Sequence, residues 1–326
     1  MSRKVLVTGA GGFIGSHLAE RLVHSDYQVI GLDNFDDYYS PIMKWNNIYA
    51  LNKTDNFELE QGDIRDESLL TRIFKTNHID AVIHLAARAG VRPSIKQPLL
   101  YQDINIRGTI NLLEASRTFG IAKFIYASSS SVYGLNNKVP FKESDKVDSP
   151  TSPYASSKAA AELYCRSYNY LYGLPVSVLR FFTVYGPRQR PEMATHLFTR
   201  MIDLGEEIPV FGDGTSKRDY TYVSDIVSGI LQALTAQNRG FEIFNLGNSH
   251  PIALDSLIHL LEEALGKRAK IKRMPMQSGD VPITFADISK AKNYLGYQPK
   301  VTIEEGISLF VQWYHKLADM ARFSSA

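Results

Sequence analysis

Lys4-Val5-Leu6-Val7-Thr8-Gly9-Ala10-Gly11-Gly12-Phe13-Ile14-Gly15 lies near the start of the sequence and decides the fold of the chain. The first five residues are a short β-branched and aliphatic run, which predicts a strand. A glycine cluster ends it, and Phe13, Ile14, Leu18, Leu22 and Val23 then fall on one side of a helix. Gly9, Gly12 and Gly15 are spaced G-x-x-G-x-x-G, not G-x-G-x-x-G. The physical demands are similar: a tight turn, a bare backbone against a pyrophosphate, and a small residue where helix meets sheet. The helix N-terminus adds N–H donors and a positive partial charge for the phosphates. Glycine-rich turns are common; the position between the first strand and the first helix makes this one a dinucleotide-binding signature.

Outward from this turn, strand-like runs recur at Tyr27 to Leu32, Phe57 to Glu60, Ala81 to Leu85, Lys123 to Ala127 and Pro175 to Phe181. Helical patterns lie between them, clearest at Asn105 to Phe119 and Ala155 to Tyr172. Strands alternating with helices of this length predict an α/β fold of Rossmann type, a doubly wound parallel sheet covered on both faces. From residue 181 the character changes. Helical patterns at Thr195 to Leu204, Ser224 to Leu234, Leu254 to Leu265 and Ile303 to Leu317 are separated by short strands and turns such as Phe211-Gly212-Asp213-Gly214. The expected division is a cofactor-binding unit over 1–180, with 218–236 returning to it, and a smaller α/β substrate-binding unit over 181–326. No low-complexity linker or internal repeat separates the two. The basic stretch Lys267 to Arg273 reads as a solvated turn and strand face.

Composition narrows the functions that fit. Across 326 residues, 36 Lys and Arg oppose 34 Asp and Glu, a net charge of +2. A nucleic-acid binder would show a concentrated basic excess. The single cysteine, Cys165, excludes an internal disulfide and any multi-thiolate metal site. No apolar run approaches the ~20 residues that span a bilayer, and no signal-peptide core is present. The expectation is a cytoplasmic enzyme acting on something small, with no metal, nucleic-acid or membrane partner.

Asp33 ends the second strand, 24 residues after Gly9. A carboxylate there takes ribose hydroxyls and repels a 2′-phosphate, which favours NAD over NADP. Gly62-Asp63-Ile64 follows the third strand and brings Asp63 toward the adenine edge, while Leu85-Ala86-Ala87 is small enough for a cofactor to lie along the sheet. Tyr154 and Lys158 are i and i+4 on an Ala-rich helix and share a face. An ammonium near a phenol favours the phenolate, making tyrosine a usable general base. Tyr49 and Lys53 repeat that spacing, so context must decide. Ser128-Ser129-Ser130-Ser131 supplies it, ending the fifth strand where a hydroxyl faces the same cofactor edge. His84, mid-strand, and Cys165, with no base at suggestive spacing, read as core residues.

Gly9-x-x-Gly12-x-x-Gly15, the serine run through Val132-Tyr133-Gly134, Tyr154-x-x-x-Lys158 and Arg180-Phe181-Phe182-Thr183-Val184-Tyr185-Gly186-Pro187 resemble the extended short-chain dehydrogenase/reductase superfamily over essentially the whole chain. Ala89-Gly90-Val91-Arg92, Gly186 to Pro191, and Phe211 to Thr215 with Arg218-Asp219-Tyr220 narrow this to the nucleotide-sugar epimerases. Among these the UDP-glucuronate 4-epimerases are the most similar. The resemblance implies a NAD⁺ that stays bound and is regenerated in each turnover. It implies that Tyr154, as phenolate, takes the proton of the sugar 4-hydroxyl. Lys158 would hold the nicotinamide ribose and depress the Tyr154 pKa, and Ser129 would hydrogen-bond the same sugar oxygen. Hydride leaves C4 to give a 4-keto sugar and returns to its opposite face. The implied cofactor contacts also include Phe13, Ile14, Asn34, Ile64, Asn105, Ser128 and Phe181.

A 4-keto uronate is a β-keto acid that tends to lose CO₂. Related decarboxylases carry a glutamate at the position of Ser131, and 4,6-dehydratases an Asp-Glu pair at Ser130-Ser131; this chain has neither acid. Ser129, Ser131, Thr183 and Arg190 are therefore expected to shape a carboxylate pocket, with Arg92 and Ser130 beside the substrate. Thr183 replaces the familiar Asn, leaving room for a charged C5 substituent. Arg218, Arg273 and Asp280 are the candidates for the diphosphate, and Val210 and Phe211 for bracketing uracil. Two alternatives stay open: a 4-epimerase of neutral UDP-glucose or UDP-N-acetylglucosamine, and a non-catalytic NAD-binding regulator. The helices around Asn105 to Phe119 and Ala155 to Tyr172, with Tyr164, Tyr168 and Leu171, lie where the superfamily builds a homodimer.

Overall fold

Strands buried on both faces read as continuous apolar runs, and that is how this chain builds its central sheet. The computed structural model describes residues 3–237, 240–276 and 281–323. Its strands are β1 (Lys4–Thr8), β2 (Gln28–Asp33), β3 (Phe57–Gln61), β4 (Ala81–His84), β5 (Lys123–Ser129) and β6 (Val176–Phe181). There follow β7 (Thr183–Tyr185), β8 (Glu207–Phe211), β9 (Lys217–Tyr222), β10 (Phe241–Leu246), β11 (Pro251–Ala253) and β12 (Lys270–Met274). Seven of them form one parallel sheet in the order β3-β2-β1-β4-β5-β6-β10. Every residue of β4 and β6 is buried.

Alternate side chains of each strand point to opposite faces. Val5, Val7, Val29, Ile83, Ile125 and Leu179 enter one core, where the helices Phe13–Val23 and Val223–Thr235 pack. Leu6, Ile30, Val82, Phe124 and Val178 enter the other, against Glu67–Asn77, Gly108–Thr118 and Pro153–Tyr172. The strand order reverses between β1 and β4, and ligands of such sheets bind in the crevice at that point, outside the strands' carboxyl ends. His84 and Cys165 are buried, His84 between the hydroxyls of Thr8 (2.8 Å) and Thr109 (3.0 Å).

The smaller part holds β7, β9 and β11 as one sheet, the pair β8–β12, and the helices Ala194–Asp203, Leu254–Leu265 and Ile303–Phe323. Two features differ from expectation. The seventh strand of the main sheet is β10, which the sequence pattern assigns to the second unit; its Leu246 lies opposite Phe181 of β6. Its pairing joins segments far apart in sequence, which no local pattern reveals. The helix expected from Asn105 instead starts earlier, at Pro98–Gln102, and passes through a widened π-type turn at Asp103–Arg107 into Gly108–Thr118. The basic stretch is a solvated face, with Lys267 paired to Asp203 (2.6 Å) and Arg268 to Glu262 (3.0 Å). No helix among the described residues is long and apolar enough to cross a membrane.

Candidate active site

A cavity of about 490 Å³ opens at the carboxyl ends of β1, β2, β4, β5 and β6. Gly9, Gly12, Phe13, Ile14 and Gly15 form its floor, with Asp33, Asn34, Asp63 and Ile64 at one end. Leu85, Ala86, Ala87, Ser128, Ser129, Ser130 and Ser131 continue the wall toward Tyr154, Lys158, Phe181, Thr183 and Arg190.

The glycine turn is built as its spacing demands. Gly9 has φ +72°, a left-handed conformation, and lies against the backbone of Leu85 and Ala86. A Cβ on Gly15 would sit 1.9 Å from the Gly9 carbonyl oxygen. Gly12 caps the helix Phe13–Val23 with no side chain on its first N–H groups, and its first turn carries no acidic residue. An uncapped, acid-free helix N-terminus at the cavity floor is a site for a diphosphate, so a dinucleotide fits these residues. Asp33 Oδ2 accepts from the Gly11 N–H (2.9 Å) and Oδ1 from the Phe35 N–H (2.8 Å). Burial raises its pKa despite those bonds.

Asp63 accepts from Arg65 and from the Asn34 amide (2.8 Å). Burial pushes this carboxyl up, but the bonds from Arg65 and Asn34 outweigh it and hold the pKa at about 2. Depression below the unfolded value adds stability that is present above about pH 4 and lost as pH falls through about 2. In acid melts between those values, Asp63→Asn is expected to show a shallower loss of Tm than wild type; parallel curves would refute the assignment.

At the other end, Ser129 and Tyr154 both line the cavity, and the Ser129 hydroxyl accepts from the Ser131 hydroxyl (3.0 Å) and N–H (3.2 Å). Lys158 is buried and donates to the Ala127 carbonyl at 2.7 Å. Lys158 does not lower the Tyr154 pKa as the sequence leads one to expect. Burial raises the phenol, and the groups that oppose it are Ser129 and then Arg190. The Lys158 ammonium is engaged with the strand carbonyl, and burial lowers it to about 8.

Several expected contacts fall elsewhere. Asn105 is not in the cavity wall: the widened turn points it at the backbone of Arg88, to which it is bonded at 2.8 and 3.0 Å, and at Ser157. It thereby holds the strand-end segment rather than facing the cavity. Ser128 is in the wall, but its hydroxyl is given to the buried Glu162. Val210 is fully buried core. Phe211 lies under the Arg92 guanidinium at 4.7 Å, and neither lines the cavity. Arg218 bonds the Lys217 carbonyl (2.9 Å) and Arg273 the Asp255 carboxylate (3.3 Å), both outside the wall. Asp280 lies outside the described residues. On the helix expected at a subunit interface, Leu171 is 62% exposed and Tyr164 42%, but Tyr168 is buried and bonded to Glu114. Tyr49 and Lys53 do meet, ring to ammonium at 4.1 Å, outside the cavity.

Sequence reasoning misses a cluster beside Tyr154 in the cavity. The Tyr38 ring lies between the guanidiniums of Arg88 (4.3 Å) and Arg190 (5.5 Å), and Arg88 is paired with Asp36. Tyr101 meets Tyr154 edge to face, centroids 6.2 Å apart, and donates to the Ala89 carbonyl (2.8 Å). A lone arginine within Ala86-Ala87-Arg88-Ala89-Gly90 is the one signal of it in the sequence.

Residues 6–310 match the GDP-mannose 4,6 dehydratase family model. A UDP-glucuronate 4-epimerase of Thermodesulfobacterium geofontis is 46% identical over 309 residues, covering 94% of this chain and 95% of that protein. The crystal structure of a UDP-glucuronic acid 4-epimerase from Bacillus cereus, in complex with UDP-glucuronic acid and NAD, superposes with a TM-score of 0.92 at 37% identity. It covers 96% of this chain and 99% of that one. A UDP-glucose 4-epimerase of Thermotoga maritima with UDP-glucose gives 0.89 at 37% identity, covering 97% and 99%.

Proposed function

We propose a function from the premise that this chain belongs to the GDP-mannose 4,6-dehydratase family of extended short-chain dehydrogenases/reductases: it is a NAD-dependent UDP-glucuronate 4-epimerase. The observation that carries this reading is the meeting of Tyr154, Ser129, Lys158, Thr183 and Arg190 around one cavity whose serine run contains no acid.

Bound NAD⁺ supplies the hydride acceptor and donor for sugar C4. We assign the diphosphate of the cofactor to the helix N-terminus at Gly12, Phe13 and Ile14, and its adenosine ribose to Asp33. Tyr154 takes the proton of the 4-hydroxyl as the hydride leaves and returns a proton when hydride comes back to the other face. Ser129 donates to the same oxygen, held in orientation by Ser131. Lys158 is assigned to the nicotinamide ribose. Arg190 and Thr183 are assigned to the uronate, where they keep the C5–C6 bond poorly aligned with the C4 carbonyl and so restrain loss of CO₂. Ser130 and Ser131 lack the acidity that a 4,6-elimination needs.

The nucleotide end of the substrate is assigned to the smaller part of the chain. A homodimer through the helix bearing Tyr164 and Leu171, and a cytoplasmic setting, complete the proposal. The test is to incubate the protein separately with UDP-glucuronate and UDP-glucose and identify the products by NMR. Formation of UDP-galacturonate is expected; conversion of the neutral sugar alone overturns the reading.

A further inference from the structure

Tyr154 and Lys158 are followed at the same spacing by a third inward side chain of the helix, Glu162. Residues four apart share a helix face, so Glu162 lies on the reactive face though it does not line the cavity. Its carboxylate is 5% exposed and receives Arg180 Nε and Nη2 at 3.0 and 2.7 Å, one on each oxygen. The Ser128 hydroxyl donates to the first of these oxygens. Arg180 of β6 is the register partner of Ser128 in β5, and its guanidinium rests over the Tyr133 ring at 4.8 Å.

The arrangement grips the end of β5 twice. Ala127 accepts from Lys158, and the next residue, Ser128, donates to Glu162. Helix residues four apart are thus tied to consecutive strand residues, which fixes where the Lys158 ammonium sits. As a device for stability alone the ion pair is a poor choice, because a well-packed apolar pair is often as stable or more so. What an apolar pair does not supply is negative charge near Lys158. The other groups facing that lysine are neutral or aromatic. Tyr126 of β5 presents its ring at 4.9 Å, and His84 of β4 is held near pKa 3 by burial and by Lys158 itself. Cys165 on the same helix has its thiol pushed up by burial. Burial pulls the Lys158 ammonium down, and Glu162 is the leading charge that pushes it back.

We infer that Glu162 is a positioning residue of the reaction: held by Arg180 and Ser128, it locks the catalytic helix to the end of β5 and supplies the counter-charge that keeps Lys158 an ammonium. The inference rests on the epimerase reading above. Glu162→Gln keeps the side-chain shape and an acceptor for Ser128 while removing the charge. Glu162→Gln combined with Arg180→Met also removes the arginine charge that the single variant leaves uncompensated. In the NAD-loaded protein, two quantities are followed: the titration of Lys158 by NMR with ¹³C-labelled lysine, assigned with Lys158→Met, and the pH dependence of kcat. Removal of Glu162 is expected to lower the Lys158 midpoint and the alkaline limb of kcat together by about one pH unit, with Glu162→Asp restoring most of the shift. A lowered Tm with midpoint and limb unmoved identifies a purely structural pair and overturns the inference. Wild-type protein that fails to turn over UDP-glucuronate defeats the epimerase reading, whereas the Lys158 titration needs no turnover and still decides the role of Glu162.

Discussion

Replacing Tyr154 with phenylalanine lowers kcat on UDP-glucuronate by about 10³-fold, within the range general acid–base groups supply. NAD content and Tm stay at wild-type values. The substitution removes one oxygen and leaves the ring that packs edge to face on Tyr101. Ser129 remains, but a neutral serine hydroxyl is a poor base for a sugar alcohol. The measurement is initial rate by product NMR at matched NAD loading. A rate within tenfold of wild type would move the base elsewhere in the cavity. The pH dependence has a definite sign. As a base Tyr154 acts in its phenolate form, so wild-type kcat climbs with pH as that form is populated; burial, which raises the Tyr154 pKa, moves this rise to higher pH, and the residual rate of Tyr154→Phe lacks it.

The second large effect falls on the glycine turn. In Gly15→Ala the new Cβ would stand 1.9 Å from the Gly9 oxygen and 2.8 Å from its carbon, both backbone atoms. Neither can rotate away, so the helix must lift from the turn that it caps, and the N–H groups at the cavity floor move with it. Overpacking of this kind costs about 1–3 kcal/mol. We expect Tm to fall by about 5 °C and the purified protein to lose most of its bound NAD. Gly11→Ala is the control. Its nearest contact is a Phe35 ring carbon at 3.1 Å, a side-chain atom that can give. NAD absorbance and differential scanning calorimetry on the two variants are decisive; equal behaviour would show that backbone crowding is not what the turn requires.

The parts of this molecule that are legible in sequence are those made by neighbours along the chain. The strand, glycine turn and helix from Lys4 to Val23 are one local unit, and the Tyr154–Lys158 spacing is a property of a single helix. The serine run can be placed because β5 ends in it. Residues whose position depends on how distant segments meet are misread. Asn105 turns inward because the turn at Asp103–Arg107 is widened, an insertion with no signature in residue type. Val210 reads as a ligand contact but is packed in the core, and Arg218 and Arg273 lie outside the cavity wall, bonded to the Lys217 carbonyl and the Asp255 carboxylate. Glu162 draws no notice in the sequence, since a lone acid on a helix ordinarily faces water; only β6 folding beside it supplies Arg180. Tyr38 and Arg88 come from loops after different strands, and they meet only because the strand order reverses between β1 and β4.

The late arrival of β10 has a consequence in time as well as in space. Until Phe241–Leu246 pairs with it, β6 is an open edge with six side chains destined for burial and a row of unmatched peptide groups. During synthesis, residues 182–240 must be added before that partner exists, which at about 5–20 residues per second takes several seconds. Over that interval the nascent sheet resembles a half-closed zipper, and its free edge is the place where pairing with another chain competes with completion of its own.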